Sequence, residues 1–293
     1  MAPFLFPGPS AQKVGPSDWL GADGNASMDR VSPEFLTLLL IALIGAMVGS
    51  FLNVVIHRLP LGESVIAPRS RCPHCRHLIH WWENFPIFSW LFLWGRCRNC
   101  AMAISPRYVV VELLSAILAT LLFVRLGATF AFLFYVYFAY SLLVLTYIDL
   151  DHQLLPDRLT LSGLLVGLAG SPLALPADPI LSFLFALQGV LVGGTLLYTV
   201  AWGYEKCTGR QGLGGGDIKF LAMIGAFVGW QGVLLTLFIG SMAGSIIGLF
   251  LMVFRRADAR LALPFGPFLS IGALVTLFWG PQILAWYLGR MGL

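Results

Sequence analysis

Charge is scarce in this sequence. Only 11% of its 293 residues are Asp, Glu, Lys or Arg, whereas soluble domains carry about 25%. That shortage excludes a water-soluble domain, because too few charges remain to cover a chain that is 58% hydrophobic. The net charge of +4 gives no ground for a nucleic-acid partner. The first thirty residues lack the basic start and short apolar stretch of a signal peptide. Residues 1–32 therefore read as a retained, flexible polar tail rich in Pro, Gly and Ser. No internal repeat relates the two halves, which weighs against a carrier built from repeated bundles.

Long apolar runs, by contrast, recur through the rest of the chain. A bilayer core of about 30 Å takes about 20 apolar residues per helix, and backbone satisfaction in lipid favours helices for such runs. The expected spans are Phe35–Ile56, Tyr108–Val124, Ala128–Ile148, Leu159–Ala174, Ile180–Trp202, Ile218–Leu237, Ile239–Phe254 and Phe265–Leu288. The fold class is thus an all-α polytopic membrane protein of about eight helices, with membrane lipid as its surroundings. Basic residues set its orientation. With the N-terminus outside, only Lys13, Arg30, Arg125 and Arg290 of the 18 Lys and Arg fall on the outer side. Both termini then lie outside.

One inner loop, His57 to Arg107, is much longer than the others. Cysteine is sparse, at five residues, and four of the five stand in this loop as two C-x2-C pairs: Cys72 and Cys75 in "CPHC", Cys97 and Cys100 in "CRNC". Two such pairs about twenty residues apart match a tetrahedral four-thiolate zinc site. A pair of disulfides is the competing reading, which a reducing cytosol disfavours. The ion would brace a module with little core of its own. His74, His77 and His80 read as solvated or packing residues, and Cys207 as a lone thiol at the membrane edge. Trp81, Trp82, Trp90 and Trp94 suit the inner interfacial layer, while Pro86 and Gly95 break the segment too often for a ninth span.

Two carboxylates stand apart from the solvated ones. Asp149 ends a long apolar helix, and Asp217 opens another after Gly214, Gly215 and Gly216. Both lie at the inner ends of helices, where a carboxylate is a functional candidate. Facing each other, they would share one proton, one acting as base toward water while its protonated partner polarises a carbonyl, as in an aspartic protease. The helix dipole favours an anion at Asp217, and the glycines leave room for a substrate strand. An aspartate before a helix is equally an N-cap, and spacing alone does not show that the two meet. A carrier would use such carboxylates as ion sites, and a scaffold would leave them idle. Asp151 and Asp157 read as turn and cap residues, Glu112 as snorkelling or pairing with Arg107, and Gly45 and Gly49 as helix contacts.

The chain resembles the type IV prepilin peptidases, bacterial members of the GxGD aspartic proteases. The resemblance rests on "GSFLNVVIHRLP", "CPHC", "NFPIFSWLFLWGRCRNC", "ISPRYVVVELL", "IDLDHQLLPDRLTL" and "GLGGGDIKFLAMIGAFVGW", in that order. His57 stands where an aromatic residue is expected, and the tail is longer than expected. The resemblance implies Asp149 and Asp217 as the catalytic pair, with Gly214 and Gly216 in the active-site loop. It implies prepilins or pseudopilins as substrates, cut before their apolar helix at the cytosolic face of the inner membrane. It also implies methylation of the new N-terminus with S-adenosylmethionine, or a peptidase that has lost this second activity. Gly49, Ser50, Asn53 and the surroundings of Gly95 are candidate walls for the methyl donor. The implied division is a tail at 1–32, a first helix at 33–56, a zinc loop at 57–107 associated with methyl transfer, and a peptidase core at 108–293.

Overall fold

The computed structural model describes residues 33–67, 69–72, 74–78, 80, 85–209, 214–255 and 263–291. The tail, Trp81, Trp82, Arg210, Arg256 and Arg260 lie outside them. Among the described residues eight helices follow in order: α1 Pro33–Arg58, α2 Phe88–Phe92, α3 Arg107–Leu126, α4 Phe130–His152, α5 Asp157–Ala174, α6 Pro179–Thr208, α7 Gly215–Arg255 and α8 Gly266–Met291. Six of them (α1, α3, α4, α6, α7 and α8) are long and apolar enough to cross a membrane. The shorter α5 packs among them.

Local chemistry sets the helix ends. The Thr129 hydroxyl accepts from the Phe132 N–H and starts α4. Gln153 takes a left-handed conformation (φ 51) and ends it. The Asp178 carboxylate accepts from Ile180 N–H, with Pro179 as the first residue of α6. At α5 the expected cap is corrected: Pro156 holds that position, and Asp157 is the first helical residue, with no capping bond.

All eight expected apolar spans are helical, but the break between the sixth and seventh falls elsewhere. It lies at Gly229 (φ 70, ψ 178) inside α7, not between Leu237 and Ile239. A Cβ on Gly225 would lie 3.0 Å from Val233 Cγ2. In a continuous helix those residues would be about 12 Å apart. The chain therefore doubles back at Gly229, giving one arm to Val228 and a second from Trp230. Only glycine adopts this φ cheaply.

α4 is the buried axis. Phe138 stacks on Phe227 of α7 at 4.4 Å between ring centroids, and Phe134 meets the same ring at 4.6 Å. α1 and α3 approach where side chains are missing, since a Cβ on Gly49 would fall 1.9 Å from Ser115 Oγ. This is the close packing expected of small residues. Asp149 thus rides on the last turn of the helix most fully held by its neighbours.

Candidate active site and metal centre

Asp149 is 5% exposed. Its Oδ2 accepts the backbone N–H of Gly266 at 2.9 Å. Gly266 is the first residue of α8, where backbone donors have no intrahelical partners and the dipole favours an anion. A Cβ there would stand 2.6 Å from Oδ2, so only glycine lets the amide approach. The sequence reading missed Gly266. The available signal was "PFGP", a glycine between two prolines just before an apolar run.

Asp217 is half-buried and is the third residue of α7, inside its first turn and not its cap. Its N–H donates to the Gly214 carbonyl at 3.1 Å. A Cβ on Gly216 would lie 3.1 Å from Leu155 Cβ, so this glycine seats the start of α7 against the turn that follows Asp149. The two carboxylates come within electrostatic reach of one another. Each is followed two residues later by an ion-paired side chain. Asp151 accepts from Arg107 Nη1 at 2.7 Å, and Lys219 Nζ reaches both Asp157 oxygens at 2.7 and 2.8 Å.

Arg107 therefore pairs with Asp151 and not with Glu112. Glu112 is buried and accepts the Ile87 N–H at 2.7 Å and the Ser50 hydroxyl. It ties α1 and α3 to the loop just ahead of α2.

The loop contains two matching knuckles. Cys72 N–H donates to His77 O at 2.9 Å and Arg76 N–H to Cys72 O at 3.0 Å. Cys97 N–H donates to Met102 O at 2.8 Å and Ala101 N–H to Cys97 O at 2.9 Å. Arg76 and Ala101 both take positive φ, 56 and 55. Antiparallel bridges Arg71–Leu78 and Arg96–Ala103 close the two turns. The four sulfurs of Cys72, Cys75, Cys97 and Cys100 lie within 4.8 Å of each other, with Cys72–Cys100 at 3.8 Å and Cys75–Cys97 at 4.0 Å. A tetrahedron with metal–sulfur bonds of about 2.3 Å has edges of about 3.8 Å, so this cluster can hold a metal ion. Disulfides need sulfurs about 2.05 Å apart, and all four cysteines are free.

Backbone N–H groups near His77, with help from Asn99, bring the Cys75 thiol down to about 6. Those at Cys100 and Asn99 lower Cys97. Cys100 has the Met102 N–H in its favour, yet burial and its sulfur neighbours push it up to about 11. A site that readies some thiolates while crowding another suits a cation that neutralises them together. Cys207 is exposed on α6 and belongs to no cluster among the described residues.

Residues 43–126 match the bacterial peptidase A24 N-terminal domain, and residues 135–249 match the type IV leader peptidase family. A prepilin leader peptidase/N-methyltransferase of Aeromonas hydrophila is 39% identical over 277 residues, covering 85% of this chain and 93% of that protein. That of Stutzerimonas stutzeri is 40% identical over 277 residues, covering 86% and 94%. That of Pseudomonas aeruginosa is 39% identical over 273 residues, covering 85% and 93%. The chain belongs to the type IV leader peptidase family. No solved structure matches it. Membership makes it an enzyme with leader-peptidase and N-methyltransferase activities, embedded in the membrane by several apolar helices.

In this leader peptidase the residues considered as walls for a methyl donor are engaged within the protein. Gly49 packs on Ser115, and Ser50 bonds Glu112. Asn53 Nδ2 donates to Tyr108 O at 3.1 Å. A Cβ on Gly95 would meet the Trp90 ring at 2.8 Å.

Proposed function

We propose that Asp149 and Asp217 are the catalytic pair that cuts the leader from prepilins or pseudopilins. The observation that carries this reading is the clasp at one end of the bundle. The α8 amide at Gly266 holds Asp149, and the glycine turn at Gly214–Gly216 brings Asp217 to the same place. One carboxylate takes a proton from water as the water attacks the scissile carbonyl, while the other, protonated, donates to the carbonyl oxygen. Proton return to the departing nitrogen releases the leader.

A pair at the end of apolar helices addresses a peptide bond at the end of an apolar segment. A prepilin presents such a bond, with a basic leader ahead of its membrane helix. The asymmetry of basic residues puts this edge, and the loop at 57–107, on the cytosolic side of the inner membrane with both termini outside. The four cysteines hold a structural zinc that braces the loop, which belongs to the N-methyltransferase function of an enzyme using S-adenosylmethionine; residues 108–293 form the peptidase core.

The test is intact mass of a co-expressed prepilin with wild type, Asp149→Asn and Asp217→Asn. Leader loss plus one methyl is expected with wild type, and uncut precursor with either variant, a drop of at least about 10³-fold in rate. Cleavage that survives in both variants would sink the aspartyl mechanism. Leader loss without the methyl would keep the peptidase alone.

A further inference from the structure

Arg107 makes three contacts with α4. Nη1 donates to Asp151 Oδ1 at 2.7 Å, Nη2 donates to the Tyr147 carbonyl at 3.1 Å, and the guanidinium lies 4.6 Å from the Tyr147 ring centre. Tyr147 and Asp151 are four residues apart and share a helix face. Asp149 lies midway between them in sequence, about 200° around the helix from each. Arg107 therefore holds the back of the turn whose front carries Asp149, and Gly266 holds the front.

Magnitudes argue against a mere stability role. The ion-paired side chains are 36% and 37% exposed, and such surface pairs contribute about 0–1 kcal/mol. A cation at the last turn of a helix adds a comparable amount by meeting the dipole and the terminal carbonyls. These small terms converge on the one turn that carries a proposed catalytic carboxylate, where an error of about 1 Å can cost about 10²-fold in rate. Arg107 also comes from the N-terminal match, residues 43–126, and grips a helix of the leader-peptidase match, residues 135–249.

We propose that Arg107 is a positioning residue for cleavage: it fixes the last turn of α4, and so the aim of Asp149, from the N-terminal half of the molecule. This rests on Asp149 being one of the catalytic pair. The guanidinium fork serves the role because it bonds a carboxylate and a carbonyl at once while stacking on a ring. A lysine at this place would keep the charge and lose one of the two directed bonds.

The experiment is steady-state cleavage of a purified prepilin by the full chain in detergent, with Arg107→Gln, Arg107→Lys, Asp151→Asn, the Arg107→Gln/Asp151→Asn double variant and Asp149→Asn. With Arg107→Gln, kcat is expected to fall at least about tenfold while KM stays within about twofold. Arg107→Lys is expected to recover part of that loss. Asp151→Asn should move kcat in the same direction, and the double variant should be no slower than Arg107→Gln alone, as for partners in one contact. A raised KM at constant kcat would overturn the proposal and make Arg107 a substrate or lipid contact. Fully additive losses, or unchanged kcat in Arg107→Gln, would also overturn it. Cleavage by Asp149→Asn would remove the catalytic pair itself. An inactive Asp149→Asn beside a fully active Arg107→Gln would remove only the positioning role.

Discussion

Gly266 shows how one missing atom shapes this site. Its amide reaches Asp149 because no Cβ stands in the way, and the space is smaller than a methyl group needs. Gly266→Ala would either push the carboxylate away or move the start of α8, at a part of the protein where position governs rate. We expect at least about a 10²-fold fall in kcat for prepilin cleavage, with unchanged helical content and zinc content. Wild-type cleavage by the alanine variant would show that the amide is dispensable.

Residues were unevenly legible at this scale. Asp149 and Asp217 stood out because a carboxylate at the end of an apolar helix is a functional candidate, even where a cap is an equal reading. Gly266 did not, because a backbone donor leaves no chemical signature of its own. Of the two readings of Glu112, snorkelling or pairing with Arg107, the pair fails on geometry: side chains five apart on a helix point about 140° away from each other. Glu112 then turns toward Ser50 and the loop, and Arg107 toward α4.

At the scale of elements, eight apolar runs announced eight helical segments, because lipid leaves a backbone no other partners. The turn within α7 was hidden for the same reason, since hydropathy hardly changes across it. Four glycines stand from Gly225 to Gly240, and only the fold distinguishes Gly229, with its positive φ, from those that merely allow packing. A Cβ on Gly229 would stand 2.0 Å from the Phe185 ring of α6. Gly229→Ala therefore adds a steric overlap to a positive-φ backbone strain of about 1–3 kcal/mol. Lower thermal stability and poor recovery of monodisperse protein are expected, together with loss of both activities. Adding Phe185→Ala should restore stability only in part, because it removes the overlap and leaves the strain. Full recovery in the double variant would mean that the backbone conformation at Gly229 carries no cost.

For the whole molecule, the question is how a thiolate-bound module and a membrane bundle act as one enzyme. The four-cysteine spacing made the sulfur cluster, which can hold a metal ion, legible in advance. Its attachment was not legible, because the links run through Glu112 to Ile87 and through Arg107 to α4, contacts far apart in the chain. The module contributes little apolar core of its own: Trp94 is 86% exposed and Phe92 81%. Its knuckles would therefore depend on the metal ion proposed for the four sulfurs. Purified protein should carry one zinc per chain, and Cys75→Ser should hold at most about a tenth of that, since each structural site of this kind uses all four ligands. Acid should act in the same direction. Without metal, Cys75 is held down to about 6 by the His77 backbone and Asn99 donors, so a proton competes with the ion for this sulfur only below about that pH. Metal release on lowering the pH should therefore steepen from about pH 6 downward, read with a chromogenic zinc indicator. The stripped protein should lose methyl transfer more completely than cleavage, because Gly266, Leu155 and the α7 glycine turn hold the aspartates without any help from the sulfurs. Equal loss of the two activities would instead mean that the module steadies the catalytic end of α4, through the grip of Arg107.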